Sequence, residues 1–87
     1  MNIEFLDPPA LDRNDEVVVR AKIDGQIIIC HFTQGALQGV NPHMNTLSSI
    51  EQYGTSELKL KAIAERLIRN GKIQKGQVHI GTNDVHL

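Results

Sequence analysis

Hydrophobic and polar residues alternate along two neighbouring runs, 16–23 and 26–32, which are both rich in β-branched residues. Between them stands Asp24-Gly25, a pair that favours a two-residue type I′ turn because both of its residues take positive φ. This turn places Val17 opposite Phe32, and residues directly opposite one another share a face of a sheet. One face of the predicted hairpin is therefore apolar, with Val17, Val19, Ala21, Ile23, Ile28, Cys30 and Phe32.

Apolar residues recur at helical spacing through residues 46–70. The clearest apolar stripe comprises Leu60, Ile63, Ala64, Leu67 and Ile68. Glu65 and Arg69 form an i,i+4 pair in the favourable orientation, and Gly71 follows as a natural C′ residue. Gly54 weakens the pattern part-way along. We therefore predict two helical pieces rather than one long helix.

Shorter elements are predicted on both sides of the hairpin. Residues 2–5 predict a first strand that ends at Asp7-Pro8-Pro9, because proline cannot donate to a ladder. Thr33 is a predicted N-cap of a short helix. A loop is expected over 41–45.

Residues 77–80 predict a last strand, and 83–87 a tail. The elements together predict one α+β domain over residues 1–87. An antiparallel sheet of three or four strands, in the order β-β-β-α-α-β, packs one face against a long C-terminal helix. One face of the sheet is then covered, and the other is left with mixed side chains.

The chain is similar to the small bacterial proteins grouped as domain of unknown function 1488 (DUF1488). The likeness is carried by framework positions: Ile3-Glu4-Phe5, Ile29-Cys30-His31-Phe32, Ala36-Leu37, Ile63-Ala64-Glu65, Leu67-Ile68, Gly76-Gln77-Val78-His79-Ile80 and Asp84-Val85. The resemblance implies a compact α+β domain that stands alone. It implies no catalytic residue, because no activity is established for these proteins.

Composition narrows the classes of function. The 87 residues are 40% hydrophobic and carry a net charge of −1, which is typical of a globular protein. No apolar run approaches the roughly 18 residues that a membrane span needs, and the acidic start is unlike a signal peptide. We therefore expect a cytoplasmic protein. The aromatic content of 3% weighs against proteins that stack single-stranded bases on aromatic side chains.

Four histidines and one cysteine raise the question of a metal site. Cys30 and His31 are adjacent on a predicted strand, so their side chains point to opposite faces and do not share one ion. A site assembled from distant elements, such as His31 with His79, stays open. Without a local ligand motif, we predict neither a metal nor a cofactor.

Nucleophilic catalysis also lacks support in the sequence. Cys30 falls on the apolar face, where a buried thiol is usually inert. Ser48, Ser49 and Ser56 stand near helix starts, where serine ordinarily serves as a cap. We predict no catalytic residue and therefore a chain that is not an enzyme.

Positive charge is concentrated late in the chain, where six of the nine basic residues fall between Lys59 and Lys75. A basic helix of this kind could follow a phosphate backbone. The candidate phosphate contacts are Lys59, Arg66, Arg69 and Lys72. The alternative is a solvated helix end, because the helix dipole favours cations there.

The mixed face of the hairpin offers a candidate partner surface. Its residues are Arg20, Lys22, Ile27, Ile29 and His31. Ile27 and Ile29 are bulky to leave in water, so the long helix, the first strand or a partner must cover them. We predict a protein-interaction or regulatory module that binds another protein or a second copy. A nucleic-acid-binding accessory protein is the alternative.

Overall fold

The computed structural model describes residues 2–40 and 47–85, which form four strands and four helices. The predicted loop at 41–45 lies outside these residues. The elements are β1 (Ile3–Leu11), β2 (Val17–Ile23), β3 (Gln26–Phe32), α1 (Gln34–Val40), α2 (Ser49–Thr55), α3 (Glu57–Arg69), β4 (Gln77–Ile80) and α4 (Thr82–Val85).

The hairpin of β2 and β3 has the predicted register. Val17 lies opposite Phe32 and Val19 opposite Cys30. The turn residues Asp24 and Gly25 have φ of 48° and 92°, as a type I′ turn requires. The seven residues predicted for the apolar face are all buried, and they form one core with Leu37, Tyr53 and Leu60 from the helices.

β1 is longer than predicted, because it continues through Pro8 and Pro9 to Leu11. The strand pairs with β2 on both sides of this stretch, and the register shifts between Leu6 and Ala10. β1 lies at the edge of the sheet, where a residue without an N–H can be accommodated. The prediction that the prolines end the strand is therefore wrong.

The α+β class and the four-stranded sheet are confirmed, and the strand order is β1-β2-β3-β4. β1, β2 and β3 are antiparallel, but β4 lies parallel to β3, which makes the sheet mixed. The chain leaves β3 through α1, α2 and α3. This crossover is long enough to return the chain to the end at which β3 begins.

The predicted division into two helical pieces is confirmed, but the break falls at Ser56 and not at Gly54. Ser56 closes α2 by donating its N–H to Gln52 and Tyr53, and its carbonyl accepts the N–H of Leu60 in α3. Gly54 lies inside α2. None of the described helices is long and apolar enough to cross a membrane.

Two local predictions at the ends of α1 and β4 differ in outcome. The Thr33 hydroxyl accepts the N–H of Ala36 at 3.1 Å and so caps α1, as predicted. The predicted tail is wrong over 83–85, because these residues belong to the short helix α4. The side chain of Asp84 stabilises the start of this helix, because it accepts the N–H of Gly81, the residue before the helix, at 2.8 Å.

Candidate functional site

The sheet has one face against the helices, and we call the opposite one the outer face. All five residues predicted for a partner surface lie on it, since they alternate with the buried residues of β2 and β3. β1 adds Leu6, and β4 adds His79. Ile27 remains 50% exposed, whereas Ile29 is partly buried. The described helices therefore leave an apolar surface uncovered here.

One end of the outer face carries a histidine–carboxylate cluster, made of Asp12, Glu16, His31 and His79. His31 and His79 are neighbours in the parallel register of β3 and β4, and their rings stack with centroids 4.6 Å apart. Nδ1 of His31 lies 3.6 Å from Oδ2 of Asp12 and 3.6 Å from Oε1 of Glu16. Glu16, His31 and His79 can bring one ligand atom each to within 4.8 Å of one another.

The turn between β1 and β2 holds the carboxylate of Asp12 in place. Oδ1 of Asp12 accepts the backbone N–H groups of Asn14 and Glu16, at 2.8 and 3.0 Å. The hydrogen bond from Glu16 is the main cause that lowers the pKa of Asp12, and Asn14 and His31 lower it further. Asp12 is therefore held as a carboxylate, with Oδ2 turned towards His31.

His31 is the least exposed member of the cluster, with a side chain 15% exposed. Within the described residues, neither of its ring nitrogens has a hydrogen-bond partner. The 3.6 Å separations from Asp12 and Glu16 are too long for hydrogen bonds. A buried polar group left in this state costs about 1–3 kcal/mol. The ring nitrogens of His31 are therefore available to bind a ligand or an ion.

The structure brings together residues that the sequence did not connect. The sequence leaves the pairing of His31 with His79 open, and it does not predict that Asp12 and Glu16 approach them. The parallel direction of β4 brings His79 beside His31, and the fold of the 12–16 turn brings Asp12 and Glu16 towards them. The only signal in the sequence was Glu16 at the start of β2, close to Val18, the partner of His31.

Cys30 is separated from this cluster, as predicted. It is fully buried on the inner face, while His31 next to it lies on the outer face. Burial raises the pKa of the Cys30 thiol to about 11. Of the serines near the helix starts, Ser48 caps α2, and Ser49 accepts a hydrogen bond from Gln34 of α1. Ser56 is the N-cap residue of α3, but its side chain makes no capping hydrogen bond.

The four basic residues predicted for phosphate contact differ in their contacts within the chain. Arg66 donates to the carbonyl of Asp84 at 2.9 Å, and Arg69 forms an ion pair with Glu65 at 2.7 Å. Lys59 and Lys72 are exposed. Two of the four cations are thus engaged within the chain, and phosphate binding stays a prediction.

Comparisons with known proteins bear on the fold. A crystal structure of a protein of unknown function from the DUF1488 family of Shewanella loihica PV-4 matches this chain with a TM-score of 0.77. The match covers 92% of this chain and 94% of that chain. The chain folds as a DUF1488-type domain. The sequence identity of 20% extends the likeness to the fold alone.

The structural match confirms the predicted resemblance at the level of the DUF1488 fold. No protein-family model matches the sequence, and no curated protein matches it. The DUF1488 protein in that structure is itself of unknown function.

Proposed function

We propose that this DUF1488-type domain is a non-enzymatic protein-interaction module that binds through the outer face of its sheet. The observation that carries the proposal is the exposure of Ile27, half of which is open to solvent on a face without a described helix. Burial of exposed apolar area is the main driving force for protein association. The burial of Cys30 and the hydrogen bonds of Ser48 and Ser49 within the fold support a role that uses none of these three side chains as a nucleophile.

Further apolar side chains lie on the outer face, interspersed with the basic residues of β2. Ile29 lies beside Arg20, which pairs in turn with Leu6 on β1. Val18 lies in the next row, opposite His31. Leu6, Val18 and Ile29 are each partly buried, so the surface is a shallow apolar patch rather than a deep pocket.

The charges on this face favour a second copy of the chain as the partner. Lys22 stands near one end of β2 and Arg20 at its centre, with Glu4 opposite Lys22 on the edge strand. Asp12 and Glu16 stand at the other end. The separation along the strand from residue 16 to residue 22 is about 20 Å, at roughly 3.3 Å per residue.

A two-fold axis in the plane of the interface, perpendicular to the strands, would reverse the strand direction of the second copy. Its basic end would then meet the acidic end of the first copy, twice over. Isologous interfaces have this self-complementary character. The apolar patch would lie between the two ion-pair regions, where exclusion of water strengthens both.

Sedimentation equilibrium tests the proposal directly. We expect the wild-type protein to form a dimer, and Ile27→Lys to shift it to the monomer because the change places a charge in the apolar patch. Leu58→Lys is the matched control, since Leu58 is 84% exposed on α3, away from the outer face. A wild-type protein that stays monomeric, or equal loss of the dimer in both variants, would overturn the proposal.

Charge reversal tests the orientation of the second copy. Arg20→Glu with Lys22→Glu should weaken the dimer, and so should Glu16→Lys. A mixture of these two variants should form a heterodimer that is tighter than either homodimer, since opposite charges face each other again. A heterodimer no tighter than the homodimers would contradict the arrangement.

A further inference from the structure

We infer that Glu16, His31 and His79 form a binding site for a divalent transition-metal ion of the zinc type. The inference does not depend on the proposed self-association, because all three residues belong to one chain. Two imidazoles and one carboxylate are a common ligand set for such ions, with a remaining position for water.

The separations within the cluster suit coordination better than hydrogen bonding. Two metal–ligand bonds of about 2.1 Å that meet at a tetrahedral angle hold their ligand atoms about 3.4 Å apart. Nδ1 of His31 lies 3.6 Å from Oε1 of Glu16, close to that separation. His79 offers a ring nitrogen within 4.8 Å of both other ligand atoms. The two rings are nearly parallel, and an imidazole lone pair lies in the plane of its ring, so the exposed ring of His79 must rotate out of the stack to complete the set.

The charge of the cluster also suits a dication. Glu16 and Asp12 both approach His31, and together they carry the two negative charges that balance one divalent ion. Asp12 is held as a carboxylate by the backbone N–H groups of Asn14 and Glu16. It therefore lies beside the site as a fixed charge, whether or not it contacts the ion.

The alternative is a pair of stacked histidines with structural roles only. In that case His31 would be expected to satisfy at least one ring nitrogen, as buried polar groups generally do. Neither nitrogen has a hydrogen bond within the described residues, although both are buried. A bound ion would satisfy one of them, and the neighbouring carboxylates are placed to share it.

The test is calorimetric titration of ZnCl₂ into protein that has first been treated with a chelator. We expect one ion per chain for the wild type. His79→Ala should lower the affinity by at least about tenfold, and the fold should survive because His79 is exposed on a short edge strand. Gln77→Ala, a change at an exposed residue of the same strand, is the matched control and should bind like wild type.

A second pair of variants tests the carboxylate ligand. Glu16→Gln should weaken zinc binding, whereas Glu4→Gln, at an exposed acid of the edge strand, should not. Thermal unfolding with and without zinc gives an independent reading, since an ion bound to the native state raises the midpoint. No zinc binding by the wild type, or binding that His79→Ala and Glu16→Gln leave unchanged, would overturn the inference.

Discussion

Gly39 on α1 and Val85 on α4 lie so close that a Cβ built on Gly39 would stand 2.5 Å from Cγ2 of Val85. Gly35, one turn earlier, meets Thr82 in the same way. Two glycines four residues apart therefore give α1 a flat side on which α4 packs. This accounts for a glycine inside a helix at position 39, where alanine would otherwise be favoured.

Gly39→Ala should destabilise the protein, because the new methyl group displaces Val85 and α4. Overpacking of this kind costs about 1–3 kcal/mol, which exceeds the roughly 0.5–1 kcal/mol that alanine gains over glycine in a helix. Gly54→Ala is the control, since nothing lies within 4 Å of its added Cβ, and it should be stabilising. Urea unfolding measures the free energy of unfolding of both variants. Equal stabilisation by the two changes would show that α4 moves away from α1 at little cost, contrary to the prediction.

The sequence predicted those parts of the fold that depend on local pattern. Asp24-Gly25 set the register of β2 and β3, and alternation then assigned each side chain to a face. The direction of β4 could not be predicted, because the sequence of a four-residue strand does not distinguish parallel from antiparallel pairing. The candidate site could not be predicted either. His79 meets His31 only through the parallel pairing of β3 and β4, and Asp12 approaches His31 through the fold of a turn.

Cys30 should react slowly with a thiol reagent until the protein unfolds, because the side chain is fully buried and burial raises its pKa to about 11. Cys30→Ser should cost about 1–3 kcal/mol, since a hydroxyl is then buried in an apolar core. Time-resolved labelling with and without urea checks the first expectation, and urea unfolding checks the second. Rapid labelling of the native protein would contradict the inner-face position of Cys30.

The same thiol should make stability depend on pH in the alkaline range. In the unfolded chain it ionises near its ordinary pKa, about 8.5, while in the native state it stays protonated to about 11. The unfolded state therefore loses its proton first, and stability falls as the pH rises between these values. The free energy of unfolding of wild type should decline relative to Cys30→Ala over this range, and a constant difference would count against it.

Glu51 should stabilise α2 at neutral pH and lose this effect in acid. Its carboxylate accepts the backbone N–H of Ser48 at 3.1 Å, and that hydrogen bond lowers the pKa of Glu51. A lowered pKa means that the stabilisation is fully present above the ordinary value and is lost as the pH falls below it through the lowered pKa of the native state. The difference in unfolding free energy between wild type and Glu51→Gln should shrink from pH 6 to pH 3, and a pH-independent difference would exclude this role.

Zinc and self-association should oppose each other if both proposals hold. The ion would neutralise Asp12 and Glu16, the charges that the Arg20 and Lys22 of a second copy would contact. Binding linkage is reciprocal, so a weaker dimer in zinc also means weaker zinc binding at high protein concentration. Sedimentation equilibrium with and without ZnCl₂ should show more monomer in zinc. The effect should disappear in His79→Ala, which loses the ion but keeps both carboxylates. A dimer that zinc tightens would instead indicate an ion shared between two copies, contrary to the single-chain site.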